Sequence, residues 1–174
     1  IGQRNIIGLD VFAQKQFNSF SSWLSYSLNQ SQSRFENLNN NKDFTSKSNV
    51  THSLSAALSY KLNGFQFALG WKWQTGKPFT IAKDSIDGLE FNDGINTVEL
   101  PIYHRLDLSS TYDFKLSKYN KLRGEIGLSI RNIYNRKSLI SKEYRGNNSI
   151  GDPIEIIEKL SIGITPNLMF RIYW

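Results

Sequence analysis

The stretch Glu158–Trp174 reads EKLSIGITPNLMFRIYW, and its parity decides how the rest of the chain is read. The even positions are Leu160, Ile162, Ile164, Pro166, Leu168, Phe170, Ile172 and Trp174; none is charged, and only the Trp174 indole N–H can hydrogen-bond. The odd positions, Lys159, Ser161, Gly163, Thr165, Asn167, Met169, Arg171 and Tyr173, are mostly polar or small. Period two is the signature of a strand with one face in an apolar medium and the other in a polar one. Pro166 removes a ladder N–H, yet the phase runs through it unshifted. The expectation is one strand over 154–174 with a local defect at Pro166. The competing reading is a tight turn at Thr165-Pro166-Asn167 joining two short strands.

The same alternation recurs along the chain. Leu54, Ala56, Leu58, Tyr60 and Leu62 alternate with small or polar partners, and Asn63-Gly64 follows, a two-residue hairpin signal. Phe65, Phe67, Leu69, Trp71 and Trp73 then share one parity. Leu106, Leu108, Ser110, Tyr112 and Phe114 form a third series, and Leu122, Gly124, Ile126, Leu128 and Ile130 a fourth. Ile7, Leu9, Val11 and Ala13 alternate near the start and turn back at Asn18-Ser19 into Phe20, Leu24, Tyr26 and Leu28. Short connections (Asn18-Ser19, Asn63-Gly64, 116–121) alternate with longer polar ones (36–49, 76–101, 146–153), which describes an up-and-down antiparallel meander. The pattern predicts seven strands, roughly 5–17, 20–35, 50–62, 65–76, 102–115, 122–145 and 154–174.

Composition narrows the classes. The 174 residues suffice for one domain, and cysteine is absent, which excludes disulfides and thiolate metal sites. The net charge is +6, but the basic residues are scattered, so a nucleic-acid partner is not expected. No run of 18 apolar residues marks a membrane-spanning helix. The opening Ile1-Gly2 reads as the middle of an architecture, so the chain is expected to be a fragment.

Alternating strands build soluble sandwiches and membrane barrels alike. Strand length favours the barrel, because soluble strands average about 5–6 residues and bilayer-spanning ones need about 9–11. The apolar parity favours it too. Phe17, Phe20, Tyr60, Phe65, Phe67, Tyr112, Phe114 and Trp174 gather near the short-turn end as an interfacial aromatic girdle would, and Trp71 and Trp73 suit the opposite girdle. A charge facing lipid costs about 2–4 kcal/mol at mid-bilayer. Lys61, Lys72, Arg105, Asp107, Asp113, Lys159 and Arg171 all lie on the other parity. The fold class expected is therefore an all-β, antiparallel, transmembrane β-barrel. With the short turns periplasmic, Ile1 lies outside and Trp174 on the periplasmic side. A soluble all-β binding module, with the aromatics as its core, is the rival.

Four phrases carry a family resemblance: GWKWQTGKPFT (70–80), PIYHRLDLSSTYDF (101–114), GEIGLSIRNIYNRKS (124–138) and GITPNLMFRIYW (163–174). They resemble the late strands of TonB-dependent outer-membrane receptors of the Bacteroidota type. That resemblance implies a barrel of about 22 strands, with residues 1–174 its C-terminal portion and these seven strands its last seven. It implies that Phe170, Ile172 and Trp174 form the C-terminal insertion signal. It also implies a plug domain and a TonB box outside this sequence, coupling to the TonB complex, and contact with lipid bilayer and lipopolysaccharide in the cell outer membrane. A surface lipoprotein is a further possible partner. The implied activity is import of a scarce nutrient: a siderophore–iron complex, cobalamin, an oligosaccharide or a peptide. A passive porin or barrel scaffold is the alternative within the membrane class. Either way, two open sheet edges need partner strands from the rest of the barrel.

Little in the sequence suggests catalysis, and the chain is not expected to be an enzyme or to hold a cofactor or metal. His52 and His104 lack neighbours at metal-ligand spacing. No Ser-His-Asp order or nucleophile elbow occurs. Gly64 to Lys72 lacks phosphate-loop spacing. Asp84, Asp87, Glu90, Asp93 and Glu99, with Gly88 and Gly94, read as a solvated acidic loop before they read as a cation site. Asn147-Asn148-Ser149 is a glycosylation sequon without meaning in a bacterial cell, and the Asn-rich 37–41 stretch is an exposed loop. The candidate ligand contacts are the inward positions near the outer rim, Lys72, Gln74, Arg105, Asp107 and Arg131, which suit an anionic or sugar-like substrate.

Overall fold

The structure is a computed structural model and describes residues 1–85, 88–91, 94–117, 122–145 and 155–174, with every side chain among them except those of 82–91. Its strands are β1 (Gly2–Phe17), β2 (Phe20–Phe35), β3 (Phe44–Thr45), β4 (His52–Leu62), β5 (Phe65–Gln74), β6 (Pro78–Phe79) and β7 (Ala82–Ser85). They continue as β8 (Gly88–Phe91), β9 (Val98–Glu99), β10 (Tyr103–Lys115), β11 (Arg123–Arg131), β12 (Leu139–Arg145), β13 (Glu155–Leu160) and β14 (Thr165–Tyr173). Among the described residues the only helical element is a 3-10 turn at Asn39–Asn41. One antiparallel sheet dominates, ordered β1-β2-β4-β5-β10-β11-β14, with β3 attached to β2. No pairing joins β1 to β14, so the sheet is open.

Local chemistry explains the hairpins. Asn63 (φ 48°) and Gly64 (φ 86°) both take left-handed backbone, as the tightest twisted hairpin turn requires. Asn18 (φ 47°) serves the β1–β2 turn. The seven-strand path follows the sequence expectation, with two corrections. The strands expected over 122–145 and 154–174 are each interrupted, at 132–138 and 161–164, and their far halves pair separately as the β12–β13 hairpin. The defect does not fall at Pro166, which pairs opposite Ile130 inside the ladder. Pro166 is the second residue of β14, an edge strand of this sheet, where a missing N–H is tolerated. The 76–101 connection is not a plain loop either, since β6 pairs β9 and β7 pairs β8 within it. The side chains of Asp84 and Glu90, all of Asp87 and Asp93, and the 147–149 sequon lie outside the described residues.

The register keeps the two parities on separate faces across the whole sheet. One row runs Phe17, Phe20, Tyr60, Phe67, Ser110, Leu128, Leu168. The next runs Leu62, Phe65, Tyr112, Ile126, Phe170. These side chains are not covered: Leu9 is 58% exposed, Leu128 52% and Leu168 71%. Leu100 is the only buried hydrophobic residue among those described, whereas Ser31, Ser33, Ser46, Asn49, Asn132 and Ser138 are buried. That inverts the order expected of a water-soluble body. Two charges share the apolar parity, Lys15 beside the Phe17–Phe20 turn and Arg34 at the opposite end, where Asp43 pairs with it at 2.8 Å.

The short-turn end carries a continuous aromatic row. Phe65 lies 4.4 Å from Tyr112 and 5.9 Å from Phe67, and Tyr112 lies 6.1 Å from Phe114, ring centre to ring centre. Phe114 lies across Gly124, where an added Cβ would come within 2.5 Å of its ring. Gly124→Val is therefore expected to push Phe114 off the sheet and destabilise the hairpin by about 1–3 kcal/mol, read from denaturant midpoints. Phe20 completes the row beside Tyr60. Phe170 pairs opposite Ile126 and Ile172 opposite Gly124, while Trp174 follows β14 and is 95% exposed.

Candidate functional site

The polar parity faces a cleft walled by β5, β10 and β11. Lys72 pairs directly across from Arg105, and Gln74 across from Tyr103. These four residues and Arg131 line one cavity of about 420 Å³. Four of the five lumen residues predicted from sequence, Lys72, Gln74, Arg105 and Arg131, thus come together with Tyr103.

Asp107 is not among the residues that line this cavity. Its carboxylate accepts from Arg105 Nε at 2.9 and 3.0 Å, and its Oδ1 accepts from the Asn132 backbone N–H at 2.8 Å. Arg105 also donates to the Tyr103 hydroxyl at 3.2 Å, which leaves that O–H free to donate onward. Asp107 positions Arg105. Lys72 and Arg131 have no ion-pair or hydrogen-bond partner among the described residues.

The rest of the lining comes from the 76–101 connection and from the far halves of the strands expected over 122–145 and 154–174. Lys77 adds a further cation, without an ion-pair partner among the described residues, and Leu100 and Pro101 line the same cavity. Backbone forces a glycine here, because a methyl on Gly76 would overlap the Leu100 carbonyl. Leu139, Ile140, Ser161 and Ile162 close the cavity from the β12–β13 side.

That hairpin is held by Asn132, which is 1% exposed and takes φ 58°. Its Nδ2 donates to the carbonyls of Arg136 (2.9 Å) and Ile162 (3.0 Å), and its Oδ1 accepts from the Arg136 N–H (3.2 Å). Asn135 accepts from the Ile164 N–H at 2.9 Å, and Ser161 donates its backbone N–H to the Ser138 carbonyl at 2.8 Å. The side chains thus replace the ladder bonds lost at both interruptions. Asn in left-handed backbone is the signal that sequence reading passed over.

A second cavity of about 420 Å³ adjoins the first through Lys77, Leu100 and Ile140, and is lined also by Arg4, Lys47, Phe79 and Lys142. Arg4 belongs to β1 and Lys142 to the separate β12–β13 pair, so the polar side of β1 and that pair line one cavity. Lys142 lies 5.7 Å from the Phe79 ring centre and 2.9 Å from Glu158. Lys159 lies 2.6 Å from Glu143, and its hydrogen bond holds the Glu143 carboxyl below the usual carboxylate range. This pair therefore holds at neutral pH and is lost as pH falls through that lowered value.

The histidines make rim contacts. Tyr26 and His52 Nδ1 share a hydrogen bond of 2.8 Å. Arg136 Nη1 lies 2.8 Å from His104 Nε2; a guanidinium only donates, so Nε2 accepts. Tyr134 packs edge-on to His104 at 5.5 Å, and Trp73 pairs opposite His104. Trp71, with Ala56, Leu58 and Leu69, lines a shallow hollow of about 410 Å³ on the apolar face. Among the described residues no three His, Asp or Glu side chains converge as metal ligands would. No family model, no curated protein and no solved structure matches this chain.

Proposed function

We propose that this chain is part of the wall of an outer-membrane β-barrel, the C-terminal strands of a TonB-dependent importer, whose curled polar face lines the lumen. The observation that carries the reading is the uncovered apolar face with an aromatic row along its short-turn end. The 11-residue β4 runs from His52 to Leu62, which pairs with Phe65 of that row. At ~3.4 Å per residue and a tilt of ~40°, such a strand rises about 26 Å, close to the ~25 Å apolar band of membrane barrels. Hydrocarbon is the medium in which that face is stable.

The open edges support the same reading. β1 offers 16 residues of unpaired edge, and each unsatisfied group in lipid costs several kcal/mol. Strands from the rest of a barrel satisfy both edges. TonB coupling and nutrient import rest on the four resembling phrases, and the protein acts as a conduit, without bond-making chemistry. Uptake that persists after the proton-motive force is collapsed would move the assignment to a passive porin.

The chain has no cysteine, so single labels read the faces directly. Fluorophores on Cys at Leu108, Leu128 and Leu168 are expected to be quenched by bromolipid, and those at Ser109, Ser129 and Asn167 by aqueous iodide. Loss of that alternation, with the Leu positions shielded from both quenchers, would falsify the membrane reading in favour of a soluble module.

A further inference from the structure

We infer that the cleft between the β5–β10–β11 wall and the β12–β13 hairpin binds a small anion carrying two or more acid groups on a partly apolar body. This rests on the polar face being a ligand-accessible lumen.

Charge comes first. Lys72, Lys77, Arg105 and Arg131 surround one cavity of about 420 Å³. Among the described residues the one carboxylate that ion-pairs with any of them is Asp107, which is occupied by Arg105 and the Asn132 N–H. Three cations are left without a counter-charge among the described residues. Two of the four cations, Lys72 and Arg105, stand directly opposite each other in the ladder; Asp107 offsets Arg105, and the like-charge contact that remains at Lys72 is relieved by an anion that reaches it. A neutral sugar would leave this repulsion in place. A carboxylate or phosphate removes it, and the planar guanidinium of Arg131 matches either group with two parallel bonds.

The remaining lining fixes the rest of the ligand. Gln74 and the Tyr103 hydroxyl supply neutral hydrogen bonds beside Lys72 and Arg105. Leu100, Ile140 and Ile162 supply an apolar side. The cavity is of the size that holds small organic molecules. An acid-bearing molecule with an apolar body satisfies both sides at once.

The test uses the full-length polypeptide containing this chain, in detergent, and equilibrium dialysis. The probes are benzene-1,2,4-tricarboxylate, phenyl phosphate and sucrose. At least one anion is expected to bind, more weakly as salt rises, and sucrose is not; which anion binds separates carboxylate from phosphate recognition. K72Q/R131Q is expected to weaken the anion by about tenfold or more, and K72R/R131K to stay within about threefold. Absence of anion binding, equal binding of sucrose, or an unchanged K72Q/R131Q overturns the inference. So does K72Q/R131Q exposing other parts of the polypeptide to protease with anion binding unchanged, because the cations then serve an acidic protein segment. The lipid-quenching pattern, read on each variant reconstituted in vesicles, separates the failures. If it persists without anion binding, only the cleft assignment falls; if it is lost in the wild type, the membrane reading falls.

Discussion

Leu128→Arg is expected to cost about 2–4 kcal/mol for the protein folded into a bilayer, while Ser129→Arg, one residue along the same strand, stays within about 0.5 kcal/mol. Leu128 pairs opposite Ser110 and Leu168, midway along β11, and is 52% exposed. In water, a half-exposed leucine exchanged for arginine is a surface change and nearly neutral. In hydrocarbon it places an unpaired charge in a medium that cannot solvate it. The medium alone therefore decides the size of the effect. Denaturant unfolding from lipid vesicles measures it, with Leu168→Arg as a second site on the same row. A difference between Leu128→Arg and Ser129→Arg smaller than about 1 kcal/mol would remove hydrocarbon from the account of this face.

Lys15 obeys the same physics without contradicting it. It shares the apolar parity, but it sits two residue pairs from the Phe17–Phe20 turn. In the proposed barrel a lysine stem reaches the interface from there and keeps its ammonium wet. Asp10, Asp113, Glu125 and Arg171 lie on the opposite face, which the proposed barrel turns toward its lumen. The charge distribution is thus organised by face and depth together.

How much of this was legible in the sequence follows from what parity does and does not encode. Parity reported which face each ladder residue takes, from Phe17 to Ile172, because side-chain alternation needs no tertiary information. It also brought Lys72, Gln74, Arg105 and Arg131 to one side, and the register then set them together. Parity could not report the interruption at 161–164. Leu160, Ile162 and Ile164 keep the even phase straight through it, while the backbone leaves the ladder and bonds to Asn132 and Asn135 instead. Those contacts cross about 30 residues of chain, and no local pattern marks them. Parity could not report the partners of Asp107 either: it shares the parity of Arg105, and its bonds to Arg105 and to the Asn132 N–H give it a supporting role. Lys77 and Leu100 were missed because irregular backbone has no parity.

Asn132→Ala is expected to release the β12–β13 hairpin. The substitution removes two donors and one acceptor from a side chain that is 1% exposed, at about 1 kcal/mol for each bond. Alanine at φ 58° adds about 1 kcal/mol of left-handed strain. The sum, about 4 kcal/mol, falls on the hairpin, because the β10–β11 and β11–β14 ladders do not pass through residue 132. The expected result is local opening with the main sheet intact. Trypsin cleavage at Lys142 and Lys159 is then expected to quicken by about 100-fold or more, with the lipid-quenching pattern at Leu108 and Leu128 unchanged. Asn132→Gly restores the backbone but not the bonds, so it is expected to recover only about 1 kcal/mol. The anion cleft should fail in both variants, since Leu139, Ile140, Ser161 and Ile162 leave with the hairpin. Cleavage no faster than in the wild type would mean that β12 and β13 are held by their own ladder and the Lys142–Glu158 and Lys159–Glu143 pairs, and that Asn132 only rounds the corner.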